Sequence, residues 1–417
     1  MGHGDLGSEY ILAGGDALVG DDLELVSDAH LTIREGRIAS IGRGKPTAGV
    51  PIVDTSGKLL IPGLINCHTH IGDAILKERG YGYPAGTNLL WQPEGLRHGW
   101  MAEHSRQERI GAMRRAAEHM LRLGVVAFAD FREGGIEGVK ELREACDGLP
   151  IRDIIYARHA HAPMHTDDGF LGNEEGLAEE YRQEIEDALS VADGFSPVWA
   201  NETTDAGLKE TADIVRRHGK RLATHACETD LYRQLSLTRA GLADVERVVR
   251  FIAPDYVVHM TDASDAELST IVESGAPIVL CARGQAALGN GFSPYARILG
   301  LGGRVGIGTD NLMVNSPDVL AELDFLSRVT RAVTHDTAVV DPRALVASAT
   351  IEGARILGLD DELGSLVAGK EASIVVLDAQ SPNLVDSVDL VASLVERASA
   401  ADIQGVIVRG ELVHGRV

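Results

Sequence analysis

Several features that would narrow a function by themselves are scarce in this chain. It has 4 cysteines in 417 residues, and Cys67, Cys146, Cys227 and Cys281 form no Cys-x-x-Cys pair. Neither a disulfide framework nor a zinc ribbon is therefore expected, and each thiol reads as a small buried side chain. Aromatic residues make up only 4%, so the interior should be built from Ala, Val, Leu and Ile. No apolar run approaches the ~18 residues that a membrane span needs. The N-terminus lacks a charged segment followed by an apolar stretch, so no secretory signal is expected. Basic residues are in deficit, with 39 Lys and Arg against 62 Asp and Glu, a formal net charge of -23. No basic stripe is present, which argues against nucleic acid and anionic membrane as partners. A cytoplasmic protein is expected. Surplus carboxylates keep a surface hydrated, and a salt-rich cytosol screens their mutual repulsion, so the charge points to a halophilic setting.

What is present is a change of grammar along the chain. The first 60 residues read as short strands and turns: Tyr10-Ile11-Leu12, then Ala29 to Ile33, a Glu35-Gly36 turn, Arg37 to Ile41, and Val50 to Asp54. Apolar runs separated by Gly-containing turns are a hairpin signal. From Leu59 short apolar strands alternate with helical stretches. The strands are expected at 60–67, 125–128, 151–157, 197–200, 221–225, 256–259, 277–281 and 305–308. The clearest helices are expected at 110–123, 176–189, 206–218, 244–252 and 265–274. Eight strands with intervening helices predict an α/β fold, a (β/α)₈ TIM barrel over 61–362, with a doubly wound open sheet as the alternative. Near Leu363 the strand grammar returns, with a strand at 371–378 and a hairpin at 406–413 turning at Gly410-Glu411. Residues 1–60 and 363–417 are thus expected to pair into one small β-sandwich domain.

The chemistry-bearing residues fall at the ends of the expected barrel strands, where barrel enzymes keep their active sites. Asn66-Cys67-His68-Thr69-His70 delivers two histidines spaced by two, which share one face of a strand. Leu222-Ala223-Thr224-His225, Tyr256-Val257-Val258-His259 and Gly306-Ile307-Gly308-Thr309-Asp310 end further strands on imidazole or carboxylate. His68, His70, His225 and Asp310 form a ligand set for one divalent metal, with zinc favoured and iron or manganese compatible. Glu228, three residues after His225, is placed to return over metal-held water as general base and then acid. His259 has two possible roles, as ligand to a second metal or as a group that orients the attacking oxygen and stabilises charge. The fourth strand supplies no lysine to bridge two metals, and Glu202 is its only substitute, so one metal is expected with His259 beside it. Candidate substrate contacts are Trp91, in the long segment after the first strand, Arg158 at the third strand, Arg283 after the seventh, and Asn311 beside Asp310. His159 and His161 are further rim candidates.

This arrangement resembles the amidohydrolase superfamily, and within it the cytosine deaminase-like branch that includes adenosylhomocysteine deaminases and triazine chlorohydrolase-type enzymes. The likeness is carried by Pro62 to His70, by His225-Ala226-Cys227-Glu228, by Val258-His259, by Gly308-Thr309-Asp310, and by the return from Gly364-Ser365-Leu366 through Gly369-Lys370 to Asp378. It implies hydrolysis at a trigonal carbon bonded to nitrogen, on a small heterocyclic substrate, by a homo-oligomeric enzyme. In that family the counterpart of Glu228 moves a proton from water to a ring nitrogen, and the counterpart of Asp310 helps protonate departing ammonia. One stretch departs from the family: relatives often carry Cys-Pro-x-Ser-Asn after the seventh strand, whereas this chain reads Cys281-Ala282-Arg283-Gly284-Gln285 and then Asn290. Two alternatives stand beside a deaminase. One is an amidohydrolase opening an amide or cyclic amide, in the manner of imidazolonepropionase. The other is a non-catalytic scaffold of the same fold.

Overall fold

The computed structural model describes residues 6–46, 49–83, 95–161, 174–197 and 199–417. Eight parallel strands, with the two-residue strand Asp310–Asn311 as a ninth, form the larger sheet: β1 (Leu64–His70), β2 (Val125–Arg132), β3 (Arg152–Ala157), β4 (Gly194–Phe195), β5 (Arg221–Ala226), β6 (Tyr256–His259), β7 (Ile278–Leu280) and β8 (Val305–Ile307). Each pairs with the next in sequence. After β8 the chain crosses back to β1. The Thr309 N–H donates to the His68 carbonyl at 3.0 Å, and Asp310 pairs with Thr69 and Asn311 with His70. This closes the (β/α)₈ TIM barrel. β1 and β2 are buried along their whole length, as parallel strands covered on both faces must be.

Helices over 106–122, 179–189, 205–217, 265–273 and 319–334 lie between the strands or after β8. Ser105 with Glu108, and Ser264 with Glu267, close capping boxes that satisfy exposed N–H groups at two helix starts. The expected helix at 244–252 is instead two pieces. An α-helical turn, Asp244–Arg247, runs into a π-helical segment, Val248–Ile252, closed by Ala253 N–H donating to the Val248 carbonyl.

A second, eight-stranded sheet gathers both ends of the chain. Its order is Glu411–Gly415, Ile403–Val408, Ile374–Asp378, Lys58–Pro62, Glu9–Val19, Glu24–Arg34 and Arg37–Arg43, with Ile52–Asp54 also paired to Glu9–Val19. One face packs on the barrel's cluster and the other encloses its own, centred on Tyr10, Leu12, Leu31, Leu60, Ile374 and Ile407. Two hairpins turn through consecutive residues with positive φ, Glu35-Gly36 and Arg409-Gly410. The second turn is one residue earlier than the expected Gly410-Glu411, because Val408 pairs with Glu411 and leaves only two residues to reverse the chain.

Three strands differ from expectation. The expected strand 60–67 is two strands: Lys58–Pro62 belongs to the small sheet and Leu64–His70 to the barrel. At Gly63 between them, an added Cβ would lie 2.5 Å from Val126. The fourth strand is Gly194–Phe195, not 197–200; Pro197 has no N–H for a ladder, and Ala200–Glu202 winds into a 3₁₀ turn. β2 continues to Arg132 rather than stopping at Phe128.

Candidate active site

The ends of β1, β5, β6 and β8 bring His68, His70, His225, His259 and Asp310 together. His68 and His70 project inward from β1, while Thr69 turns outward and donates to Asp130 at 2.9 Å. His68 Nε2 lies 3.2 Å from His225 Nε2 and 3.4 Å from Asp310 Oδ1, and His70 Nε2 is 3.7 Å from the same carboxylate oxygen. His225 and His259 stack with ring centroids 5.0 Å apart and planes 9° from parallel. Two ligand groups result among the described residues, His68–His70–His225 and His68–His259–Asp310, each with its donor atoms within 4.8 Å of one another. They share His68, so both describe one centre.

The electrostatics fit a cation there. Burial, with the neighbouring histidines, holds His225 well below its ordinary pKa. Burial is also the main reason His68 falls to about 3, against the pull of Asp310. These imidazoles are neutral, and the 3.2 Å approach of two Nε2 atoms sets lone pair toward lone pair unless a proton or cation lies between. Burial works against the Asp310 carboxylate, yet hydrogen bonding to His68 and the surrounding histidines keep it ionised. Neutral nitrogens converging with one carboxylate form a donor set that suits a borderline divalent metal.

The backbone here is unusual. Cys227, His259, Met260 and Asp310 have φ of 46°, 84°, 54° and 60°. Non-glycine residues enter this region at a cost of about 1–3 kcal/mol each, and such residues cluster where side-chain aim matters. At Cys227 the left-handed turn is held by Asp244, which accepts the backbone N–H at 2.7 Å and lies 3.3 Å from the thiol. That turn brings Glu228 back over the cluster. At Gly308 a Cβ would sit 2.8 Å from the His68 Cβ, so only glycine lets β8 pass this close to β1.

Glu228 is held by three side chains. Trp199 Nε1 donates to Oε2 at 3.2 Å, Asn290 Nδ2 donates to Oε1 at 3.4 Å, and His259 Nε2 lies 4.0 Å from Oε1. Trp199 stacks on Tyr232 at 4.6 Å, 24° from parallel, and leans toward His225.

One carboxylate escaped sequence reasoning. Glu133, just past β2, contacts His70 Nδ1 at 3.1 Å and ion-pairs with Arg97 at 2.9 Å, Arg132 at 3.1 Å and Arg158 at 3.0 Å. Burial opposes its charge, but these arginines hold it well below the carboxylate range. It in turn raises His70, together with Asp310 and against burial. A carboxylate on the outer nitrogen of a ligating histidine fixes its ring and tautomer. A second strand over 125–128, as the sequence predicts, places Asp130, Arg132 and Glu133 beyond its end, whereas the strand runs to Arg132. The alternating Asp130 and Arg132 after an apolar strand were the signal available.

The remaining candidates are dispersed. Arg158 faces Glu133 from the rim. Asn311 is buried, donates to Asp73 and accepts the Met313 N–H. Arg283 turns from the cluster toward Glu322 and Ser316. His159 contacts Glu184 at 2.6 Å and packs on Tyr181 and Phe195, away from the cluster. Trp91 lies outside the described residues. Tyr83 packs edge-on against Trp100, and Arg79 covers the Trp100 ring. All four cysteines are buried and unpaired, and burial pushes the Cys67 thiol up to about 12. No helix among the described residues is long and apolar enough to cross a membrane.

Comparison with known proteins agrees with this geometry. The Amidohydrolase family model matches residues 59–413. A provisionally named aminohydrolase of Methanothermobacter thermautotrophicus is 33% identical over 388 residues, covering 92% of this chain and 94% of that protein. A 5-methylthioadenosine/S-adenosylhomocysteine deaminase of Teredinibacter turnerae is 30% identical over 375 residues, 87% of this chain and 82% of its own. In fold, the chain is similar to a zinc-bound adenosine deaminase from Xanthomonas campestris, with TM-score 0.83, 20% identity, and coverage of 97% of this chain and 92% of that one.

Proposed function

The chain belongs to the Amidohydrolase family, and from that premise we propose that it is an aminohydrolase releasing ammonia from a purine, pyrimidine or related heterocycle at a single bound zinc ion. The coarser statement, a metal-dependent hydrolase of non-peptide C–N bonds, follows from the family and its deaminase-named relatives. The observation that carries the finer one is the position of Glu228. It stands against His259 at the edge of a cluster of imidazoles and one carboxylate.

His68, His70, His225 and Asp310 would hold the metal, with His259 beside it. A zinc ion in such a set would lower the pKa of bound water toward about 7 and so supply a nucleophile at neutral pH. Glu228 takes a proton from the attacking water and returns it to the ring nitrogen next to the reacting carbon. His259 stabilises charge that develops on the attacking oxygen. Asp310 takes the remaining proton of the attacking oxygen and passes it to the amino group as the C–N bond breaks, which leaves the ring carbonyl. The products are ammonia and the corresponding ring carbonyl. Trp199 and Tyr232 offer a planar wall for a flat ring. The reading extends to a cytoplasmic, homo-oligomeric enzyme of a salt-rich cytosol, supported by the net charge of -23 and, for subunit association, by family likeness.

The test is ammonia release from a panel of cytosine, adenine, guanine, adenosine, 5-methylthioadenosine and S-adenosylhomocysteine. At least one should turn over, and chelation should abolish the activity. Glu228→Gln should keep stoichiometric metal and lose about 10²–10⁴-fold in kcat. A panel that yields no ammonia while cyclic amides are opened would replace this reading with the amide-hydrolase one. Near-intact turnover by Glu228→Gln would remove the proton-transfer assignment.

A further inference from the structure

The segment after β7 is where this chain departs from its family, and it is built into the site. Gln285, fully buried on the helix Ala282–Ala287, places Nε2 3.3 Å from Asp310 Oδ2. Asn290 Nδ2 lies 2.9 Å from Gln285 Oε1 and 3.4 Å from Glu228 Oε1. The turn joining them is tied by the Asn290 N–H donating to the Gln285 carbonyl at 3.0 Å.

Donor and acceptor bookkeeping allows this chain of contacts one polarity. Both ends are carboxylates, which only accept when ionised. Gln285 must therefore give an N–H to Asp310, which leaves its carbonyl oxygen toward Asn290. Asn290 must then give one N–H to Gln285 and its second to Glu228. Two side-chain amides span the gap with every facing atom matched. Gly284 makes the approach possible, since a Cβ there would lie 3.0 Å from the Asp310 Cβ.

We propose that Gln285 and Asn290 form a two-amide bridge that positions Glu228 relative to Asp310, so that the proton-transfer group and the proposed metal ligand move as one unit. Gln285 and Asn290 are positioning residues: in this arrangement they touch the two carboxylates, not the reacting atoms. The inference rests on the aminohydrolase reading for the role of Glu228, whereas the bridge itself is a property of the four side chains. Neutral amides suit this place. They fix both carboxylates by direction without adding a charge that would compete for the metal or the travelling proton.

The experiment is a double-mutant cycle with two readouts, the kcat and KM of the panel substrate and the rate at which a chromogenic chelator strips zinc from the full-length protein. Asn290→Asp keeps size and polarity but turns the donor into an acceptor facing two other acceptors. It should lower kcat at least tenfold with KM changed less than threefold, and should speed zinc loss at least threefold through Gln285. Gln285→Met, close in volume and without the amide, should speed zinc loss about tenfold. Combining the two should add less than twofold to Gln285→Met alone, because the bridge is already broken. Multiplicative effects on zinc loss, or an Asn290→Asp protein with unchanged kcat, would overturn the bridge. The zinc readout needs no substrate, so it judges the bridge even where the panel overturns the aminohydrolase reading. A Gln285→Met protein that does not fold is replaced by Gln285→Glu, which keeps the shape and loses the donor to Asp310.

Discussion

The two sides of the candidate centre are braced by opposite means. On the β1–β2 side His70 leans on Glu133, which is surrounded by Arg97, Arg132 and Arg158. Arg97 also pairs with Asp73 at 2.6 Å, and Asn311 donates to the same Asp73. At Gly72 a Cβ would fall 2.1 Å from the Arg132 guanidinium, so the backbone itself yields room to charge. On the β5–β8 side Asp310 and Glu228 are held by a glutamine, an asparagine and a tryptophan N–H, none of them charged. The difference follows the work each side does in the proposed reaction. A histidine that only has to stay put can be fixed by a dense ionic cluster. Carboxylates that must gain and lose a proton are better held by donors whose own charge never changes.

Breaking the ionic side should have the largest effect. Glu133→Ala leaves three buried guanidiniums without their common counter-charge, and removing one partner of a buried pair costs about 3–5 kcal/mol. Denaturant unfolding of the zinc-free protein measures this without interference from metal binding. Gln285→Met, which removes neutral contacts, should cost well under half as much in the same assay. Equal losses from the two variants would erase the distinction between the sides.

The comparison also explains what could be read from the chain alone. Strand ends carrying His or Asp were legible because each is a short apolar run with a polar terminus, as in Tyr256 to His259. The fold followed from the alternation of strands and helices, and the hairpin at Glu35-Gly36 from its turn chemistry. The ionic brace was not legible, because Arg97, on the short helix Leu96–Ala102, and Arg158, just past β3, are distant from Glu133 in sequence and meet it only when the first three strands lie side by side. The fourth strand was misplaced because Val198 and Trp199 look apolar enough for a strand, while Pro197 denies the ladder a donor. The amide side was visible only as a departure from family pattern, and nothing in Cys281 to Gln285 states that Asn290 will fold back to meet it.

A medium-sized effect should come from behind the amide side. Glu322 accepts the Arg283 N–H at 3.0 Å and an Asn315 N–H at 2.7 Å, supporting the start of the helix that carries Gln285. Burial raises its pKa from the ordinary 4.5 to about 7. Between those values the native state holds a proton that the unfolded chain has released. The contribution of Glu322 to stability is therefore greatest below about pH 4.5 and declines until about pH 7, by about 3 kcal/mol. Glu322→Gln, always neutral, should lack that decline. Relative to the unsubstituted chain it should gain about 3 kcal/mol in unfolding free energy between pH 4.5 and pH 8. A difference between the two proteins that is constant with pH would show that Glu322 is ionised throughout and that this side, too, carries buried charge.

The smallest effect sharpens the comparison within the neutral side. Trp199→Phe removes the N–H that reaches Glu228 and keeps an aromatic ring against Tyr232. One long hydrogen bond from a neutral donor contributes about 1 kcal/mol net, so kcat should fall roughly fivefold. KM should stay within twofold, because the flat wall offered to the substrate is retained. The loss must be smaller than that of Asn290→Asp, which sets an acceptor against Glu228 instead of merely withdrawing a donor. A Trp199→Phe loss that exceeds the Asn290→Asp loss would mean that the β4 side, rather than the bridge from β7, sets the aim of Glu228. A KM that rises while kcat holds would instead place the indole N–H on the substrate, making Trp199 a binding residue.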